Sequence, residues 1–310
     1  MTIATITWAT RSATNRWAAL CVCALLLLCA GVNRVAAAAA EVSAPAALLA
    51  KYDVLRDRLS HNAFGSPLHL ESSETQGSVA GAIYALVNHP FATVRAALSQ
   101  PGNWCDTLML HLNTKYCRAS NAGQGDVLNV SIGKKYDQPL NDAYRVTFAY
   151  RVAAQTANYL QVILNAGEGP LSTRDYRIVL AAVPLENGQT FLHLSYAYGY
   201  GLTGRVAMQV YLGTIASNKV GFTVIGSQSD GQPLHIGGMR GLVERNTMRY
   251  YLAIEAFLDA LSTSPSARLE KSLRSWFAAI ERYPRQLHEL EQHEYLDMKR
   301  KEFLRQQRGT

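Results

Sequence analysis

Acidic residues are missing from the first forty positions, where Arg11, Arg16 and Arg34 are the only charged side chains. Cysteine is scarce after residue 29, and only Cys105 and Cys117 remain there. No apolar run reaches the roughly 20 residues that a membrane-spanning helix needs; the stretch "WAALCVCALLLLCAGV" stops short at Asn33 and Arg34. No H-E-x-x-H occurs, His288 and His293 are five apart instead of four, and two thiols without a clustered His are too few ligands for a metal. A nucleophile elbow of the G-x-S-x-G type is also lacking, since "GSQSDG" does not match and no strand leads into a helix there. These gaps remove positive evidence for catalysis, while leaving open a triad assembled from distant residues.

What is present in the first forty residues fits a secretory signal peptide spanning 1–40. Arg11 and Arg16 supply its positive region, the run from Trp17 to Val32 its apolar region, and "VAAAAAEV" small residues for cleavage near Ala40. The mature chain then begins near Glu41, and the expected location is the periplasm or the secreted space. A membrane anchor is the competing reading of the same run; a lipoprotein at Cys29 is disfavoured by bulky Leu28 before it. Setting aside those three arginines lowers the formal net charge from +7 to +4, too little to argue for nucleic acid. Cys21, Cys23 and Cys29 leave with the leader, so an oxidising compartment predicts one disulfide, Cys105 to Cys117. Such a bridge closes a short loop and contributes about 3 kcal/mol in the chain-entropy model.

With 48% hydrophobic and 17% charged residues, the remainder reads as a globular chain with a real core. "APAALLAKYDVLRDRLSHNAFG" has helical spacing and stops at Asn62 and Gly65. Two strands follow, in "SPLHLESSE" and "SVAGAIYALVN", then one or two short helices in "HPFATVRAALSQPGNWCDTL", broken by Pro101 and Gly102. From Met109 to Gly201 six strand-like segments succeed one another. In "AYRVTFAYR" Tyr144, Val146, Phe148 and Tyr150 alternate with Arg145, Thr147, Ala149 and Arg151; in "TFLHLSYAYGYG" Leu192, Leu194, Tyr196, Tyr198 and Tyr200 share one face. Asn187 and Gly188 mark a hairpin between the last two strands. A short amphipathic piece "TGRVAMQVYLGT", a strand "KVGFTVIG" and a loop to Gly238 come next.

The stretch from Arg240 to Leu261 repeats its apolar residues at helical steps: Val243, Tyr250, Tyr251, Ile254, Phe257, Leu258 and Leu261. So wide and aromatic a stripe predicts a broad partner surface, which the upstream sheet can supply. Arg249 and Glu255 fall on the side expected to be solvated. Ser264 and Pro265 open a further helix, and "PRQLHELEQHEYLDMKRKEFLRQQRG" predicts a long charged helix, packed in its first half and solvated in its second.

The order of these elements resembles the helix-grip fold of the START-like, or SRPBCC, superfamily, as an exported bacterial-type member. "AIYALVNHPFATVRAALSQPGNW", the strands from Leu108 to Gly201, and "ERNTMRYYLAIEAFLDAL" carry the likeness, which spans roughly Pro67 to Leu261. It implies an α+β fold in which a curved antiparallel β-sheet wraps around a long late α-helix, in a domain over 41–262; the helix before Gly65, the piece after Gly201 and the extra C-terminal helices, a helical extension over 263–310, depart from the simplest members. It also implies an apolar cavity between sheet and helix for a lipid, sterol or aromatic ligand.

On that reading the ligand-binding residues are Tyr144, Phe148, Tyr150, Tyr196, Tyr198, Tyr250, Tyr251 and Ile254, rings for apolar contact and hydroxyls to orient a polar head. Core packing is the plainer account of each tyrosine taken singly. Gly199, Gly201 and Gly204 spell G-x-G-x-x-G, but the preceding strand is hairpin-paired and no acidic residue follows about twenty positions on, so no dinucleotide or other cofactor is expected. The segment Ser227–Gly238 together with "TGRVAMQVYLGT" would gate access. Two other readings stand beside the carrier: a cyclase- or hydrolase-type enzyme using a tyrosine or His193 as acid or base, and an interaction module docking a membrane surface or protein partner through its C-terminal helix.

Overall fold

The computed structural model describes residues 44–308 apart from 122, 124 and 215–218. The segment 1–40, with its expected cleavage site, lies outside the described residues. Alternation in sequence becomes alternation in burial: in β5 (Tyr144–Gln155) Val146, Phe148 and Tyr150 are buried while Arg145, Thr147, Ala149 and Arg151 face water. The other strands of the meander are β3 (Thr114–Asn121), β4 (Asp126–Ile132), β6 (Leu160–Glu168), β7 (Thr173–Pro184) and β8 (Thr190–Tyr200). Each pairs antiparallel with the next, and β8 then pairs with β2 (Ser78–Val87), which pairs with β1 (Leu68–Glu74). The sheet order is therefore β1-β2-β8-β7-β6-β5-β4-β3. Gly188, at φ 81°, makes the turn that Asn187 and Gly188 predict between β7 and β8. Register shifts at Thr114/Tyr116, Val152/Ala154 and Arg174/Arg177 bend the strands they interrupt.

Helix α1 covers 44–60, with α2 (Phe91–Leu98) and α3 (Pro101–Leu108) between β2 and β3. After β8 come α4 (Leu202–Gly213), a hairpin of β9 (Val224–Ser227) and β10 (Pro233–His235), and the long α5 (Gly238–Ala260). Helices α6 (Pro265–Glu281), α7 (Pro284–Leu287) and α8 (Gln292–Arg308) finish the chain. One face of α5 lies on β1, β2 and β8 and meets α3; α6 runs along its other side, and α8 lies against β3 and α6. This is an α+β helix-grip fold. Cys105 on α3 is bonded to Cys117 on β3, tying the helix pair to the sheet edge.

The wide stripe of α5 is thus explained twice over, by the sheet on one side and α6 on the other. Arg249, expected in solvent, is buried, and Glu255 is half-buried, because α6 and the α7–α8 segment cover that side. The expected long helix after Pro284 is broken at 288–291, and its second half is not solvated: Lys299, Glu302 and Phe303 are buried against the domain. A thin apolar stripe misled here because buried ion pairs complete the contact: Glu302 takes bonds from Lys115 (2.9 Å) and Lys299 (2.6 Å). The segment "KVGFTVIG" is strand only from Val224, paired with β10 alone.

Candidate ligand-binding site

Inward-facing positions of β8, its neighbour β7 and, one strand beyond β6, β5 gather aromatic rings near α5. Tyr176 of β7 stacks on Tyr198 of β8 with ring centroids 5.3 Å apart, and Tyr196 lies 5.6 Å from Tyr198. Phe148 of β5 meets Tyr176 edge-on at 6.3 Å. From the helix side Tyr250 meets Tyr196 at 5.3 Å, and its other contact is His111, stacked at 4.9 Å. Burial, reinforced by neighbouring tyrosines, drives the Tyr196 and Tyr198 hydroxyls upward, so both remain neutral donors. The Tyr176 hydroxyl is held by Thr173 at 2.6 Å.

Of the residues expected to line a ligand site, Phe148, Tyr196, Tyr198 and Tyr250 are brought together. Ile254 is buried in the same core. Tyr150 points to the helix pair and donates its hydroxyl to the Leu98 carbonyl at 3.2 Å. Tyr251 turns the other way, where burial and then Glu255 raise its hydroxyl pKa. Tyr144 begins β5 beyond the cover of any helix and is 42% exposed, although its position in the alternation matches Val146 and Phe148. Residues that pattern reading missed are Tyr176 and His111. Tyr176 was visible as a fifth inward ring in "DYRIVLAAV"; His111 sits in the turn between α3 and β3, where no periodicity assigns a face.

His111 is 3% exposed. Its Nδ1 accepts the Asn113 backbone N–H at 3.1 Å, which puts the ring proton on Nε2, and Nε2 has no partner among the described residues. Burial first, then the charges of Arg249, Lys299, Lys135 and Lys115, hold its pKa well below the ordinary value. His193, the acid or base of the enzyme reading, does not join this cluster. It lies on the opposite face of β8, stacked on Tyr84 at 4.4 Å, where α1 covers the sheet.

The tyrosine rings are in mutual contact, with centroid separations of 5.3 to 5.6 Å. Two concavities lie away from the cluster: one of about 350 Å³ by Tyr116, Ser131 and Arg145 on the outer face, and one of about 260 Å³ beside Leu59 and Pro67. Among the described residues no group of His, Cys, Asp and Glu could hold a metal ion, and no helix is long and apolar enough to cross a membrane.

No protein-family model and no curated protein matches the chain. Solved structures with a similar arrangement include norcoclaurine synthase from Thalictrum flavum, at 14% identity and a TM-score of 0.33 over 46% of this chain and 91% of that one. A conserved protein from Geobacillus kaustophilus gives 14% identity and 0.29 over 46% and 84%. Ara h 8.0201 gives 11% identity and 0.29 over 48% and 91%.

Proposed function

We propose that this protein binds an apolar or amphiphilic small molecule, a lipid in the first instance, between the meander and α5, and carries it outside the cytoplasm without making or breaking bonds. The supporting observation is His111. A buried N–H without an acceptor costs on the order of 1–3 kcal/mol, and the ring lies against a tyrosine cluster whose hydroxyls are also inside. A core selected for stability alone would place leucine or phenylalanine there; a ligand with an acceptor atom offsets the cost. Because the Tyr250 and Tyr196 rings are in contact at 5.3 Å, a ligand entering between helix and sheet requires them to part. Helix α4 and the β9–β10 hairpin, which connect β8 to α5, are the segments whose displacement would open that seam.

The bridge between Cys105 and Cys117 supports an oxidising compartment, in keeping with a leader over 1–40. Native mass spectrometry of protein recovered from an exported preparation tests both parts. A co-purifying molecule and a mature N-terminus near Glu41 are the expected result. Protein that is empty, and stays empty after incubation with a lipid extract, would overturn the carrier reading.

A further inference from the structure

Inside the protein, cations gather on carboxylates. Glu289, in the break between α7 and α8, takes Arg249 at 2.8 Å, Lys135 at 2.7 Å and Lys219 at 3.8 Å, and Glu302 takes Lys115 and Lys299. The outer face of the sheet differs. Helix α1 covers it over β2 and β8, where Tyr52 meets Phe191 and Lys51 sits over Tyr84, but Arg118 on β3, Arg145 and Arg151 on β5 and Arg177 on β7 are exposed. Among the described residues none of the four has an ion-pair partner, and Arg177 reaches only the Asn165 amide oxygen, at 3.5 Å. The outward positions of β3 to β6 hold no Asp or Glu. Of the acids flanking the arginines in sequence, Asp175 takes Arg174 at 3.5 Å, and Asp142 makes no ion pair with any of the four.

Cross-strand register sets the four in successive rows. Arg145 is level with Ser131 and Tyr116, Arg118 with Asn129 and Thr147, Arg177 with Asn165 and Ala149, and Arg151 with Ile163. From β3 to β5 and from β5 to β7 the spacing is about 10 Å, and Arg145 and Arg151 are about 20 Å apart along β5. These distances exceed the screening length of about 8 Å at physiological salt, so a small anion meets one guanidinium at a time. Only an extended anionic surface meets all four. Their spread in two directions fits a plane better than a thread.

Beside Arg145 the face is indented. The concavity of about 350 Å³ is lined by Tyr116, Ser131, Thr147 and, from the β4–β5 connection, Leu140. The Tyr116 and Ser131 hydroxyls have no hydrogen-bond partner among the described residues. A guanidinium with two unused hydroxyls is a donor set suited to phosphate, which arginine meets with two parallel N–H bonds.

We infer that the outer face of β3 to β7 docks this protein on a bilayer containing anionic phospholipid, with the concavity at Arg145 taking one headgroup phosphate. This surface lies on the opposite side of the sheet from the ring cluster and does not rest on the carrier reading.

Co-sedimentation of protein from an exported preparation with vesicles of phosphatidylcholine, alone or mixed with phosphatidylglycerol, provides the test. The mixed vesicles should bind at least about tenfold tighter, with the difference fading as salt rises. Arg118→Gln, Arg145→Gln, Arg151→Gln and Arg177→Gln, all at exposed positions, should each weaken binding about fivefold. Arg285→Gln, on α7 behind α5, should change nothing. Glycerol phosphate should release the protein only at great excess, because it meets one arginine. Equal binding to both vesicle types, or arginine variants no weaker than Arg285→Gln, would overturn the docking face. Release by glycerol phosphate at concentrations matching the lipid would overturn it in favour of a single phosphate site. Polyphosphate binding that the four variants weaken, without vesicle binding, would overturn it in favour of a thread-like polyanion. Lipid co-purifying with the protein would be unaffected by any of these results, so the two readings fail separately.

Discussion

Gly81 on β2 lies directly under Thr247 of α5, so close that a Cβ at position 81 would overlap the Thr247 hydroxyl oxygen. Gly81 is also the cross-strand neighbour of Tyr196. The missing side chain lets the helix settle onto the sheet at that point, and three residues further along α5 Tyr250 reaches the Tyr196 ring. The meeting of helix and meander at the candidate site is therefore set by a glycine on a third strand.

Gly81→Ala should destabilise the protein by about 1–3 kcal/mol through overpacking. Thr247→Ala in the same chain should recover part of that loss, because the overlapping atom is gone. Urea unfolding of the two single variants and the double variant measures the coupling. Additive effects would mean that the helix is not seated on Gly81.

Stability should fall with acidification before the carboxylates titrate. Burial under α1 lowers the pKa of His193 to about 4, with Glu71 opposing and Lys51 adding to the shift. The folded protein keeps this ring neutral while the unfolded chain binds a proton below about pH 6.5. Its share of stability is complete above that value and is lost as pH falls toward 4, by at most about 3 kcal/mol. His111 has the same sign. Urea midpoints at successive pH values should slope downward, and His193→Phe, which preserves stacking on Tyr84, should flatten the slope.

Glu302→Gln should be among the costlier single substitutions at the C-terminus. It leaves Lys115 and Lys299, both fully buried, without their shared carboxylate, a loss of about 3–5 kcal/mol. Lys299→Met should cost less, since a one-to-one pair survives. Burial already lowers the Lys299 ammonium to about 8 despite Glu302. Thermal melts of the two variants rank them, and the reverse order would contradict this account of how α8 is held.

Reduction of the Cys105–Cys117 bond should lower the urea midpoint by the equivalent of roughly 3 kcal/mol. Cys105→Ser/Cys117→Ser should match the reduced protein and be insensitive to reductant. A midpoint unaffected by reductant would show that the bridge constrains nothing in the unfolded chain.

Strand order was largely legible because β-strands announce themselves by alternation over a few residues. The turn at Gly188 and the inward rows containing Phe148, Tyr196 and Tyr198 follow from that local rule alone. Tyr144 obeys the same alternation yet lies open, because whether a strand end is covered depends on elements distant in sequence. Arg249 and Glu255 were misplaced for a related reason. Helical periodicity identifies the most apolar face, but α5 is covered on two sides, and the second cover comes from chain that follows it.

The sequence by itself determined the local alphabet of this protein: which segments alternate, which repeat at helical steps, and that a broad aromatic helix demands a broad partner. Tertiary structure alone decided which polar groups were carried inside. Glu289 with its three cations, Glu302 with its two lysines, and His111 with an unused N–H all come from segments without periodicity or far apart in the chain. Their placement depends on electrostatic partners converging across the fold, and charge complementarity at a distance leaves no repeat in a sequence to be read.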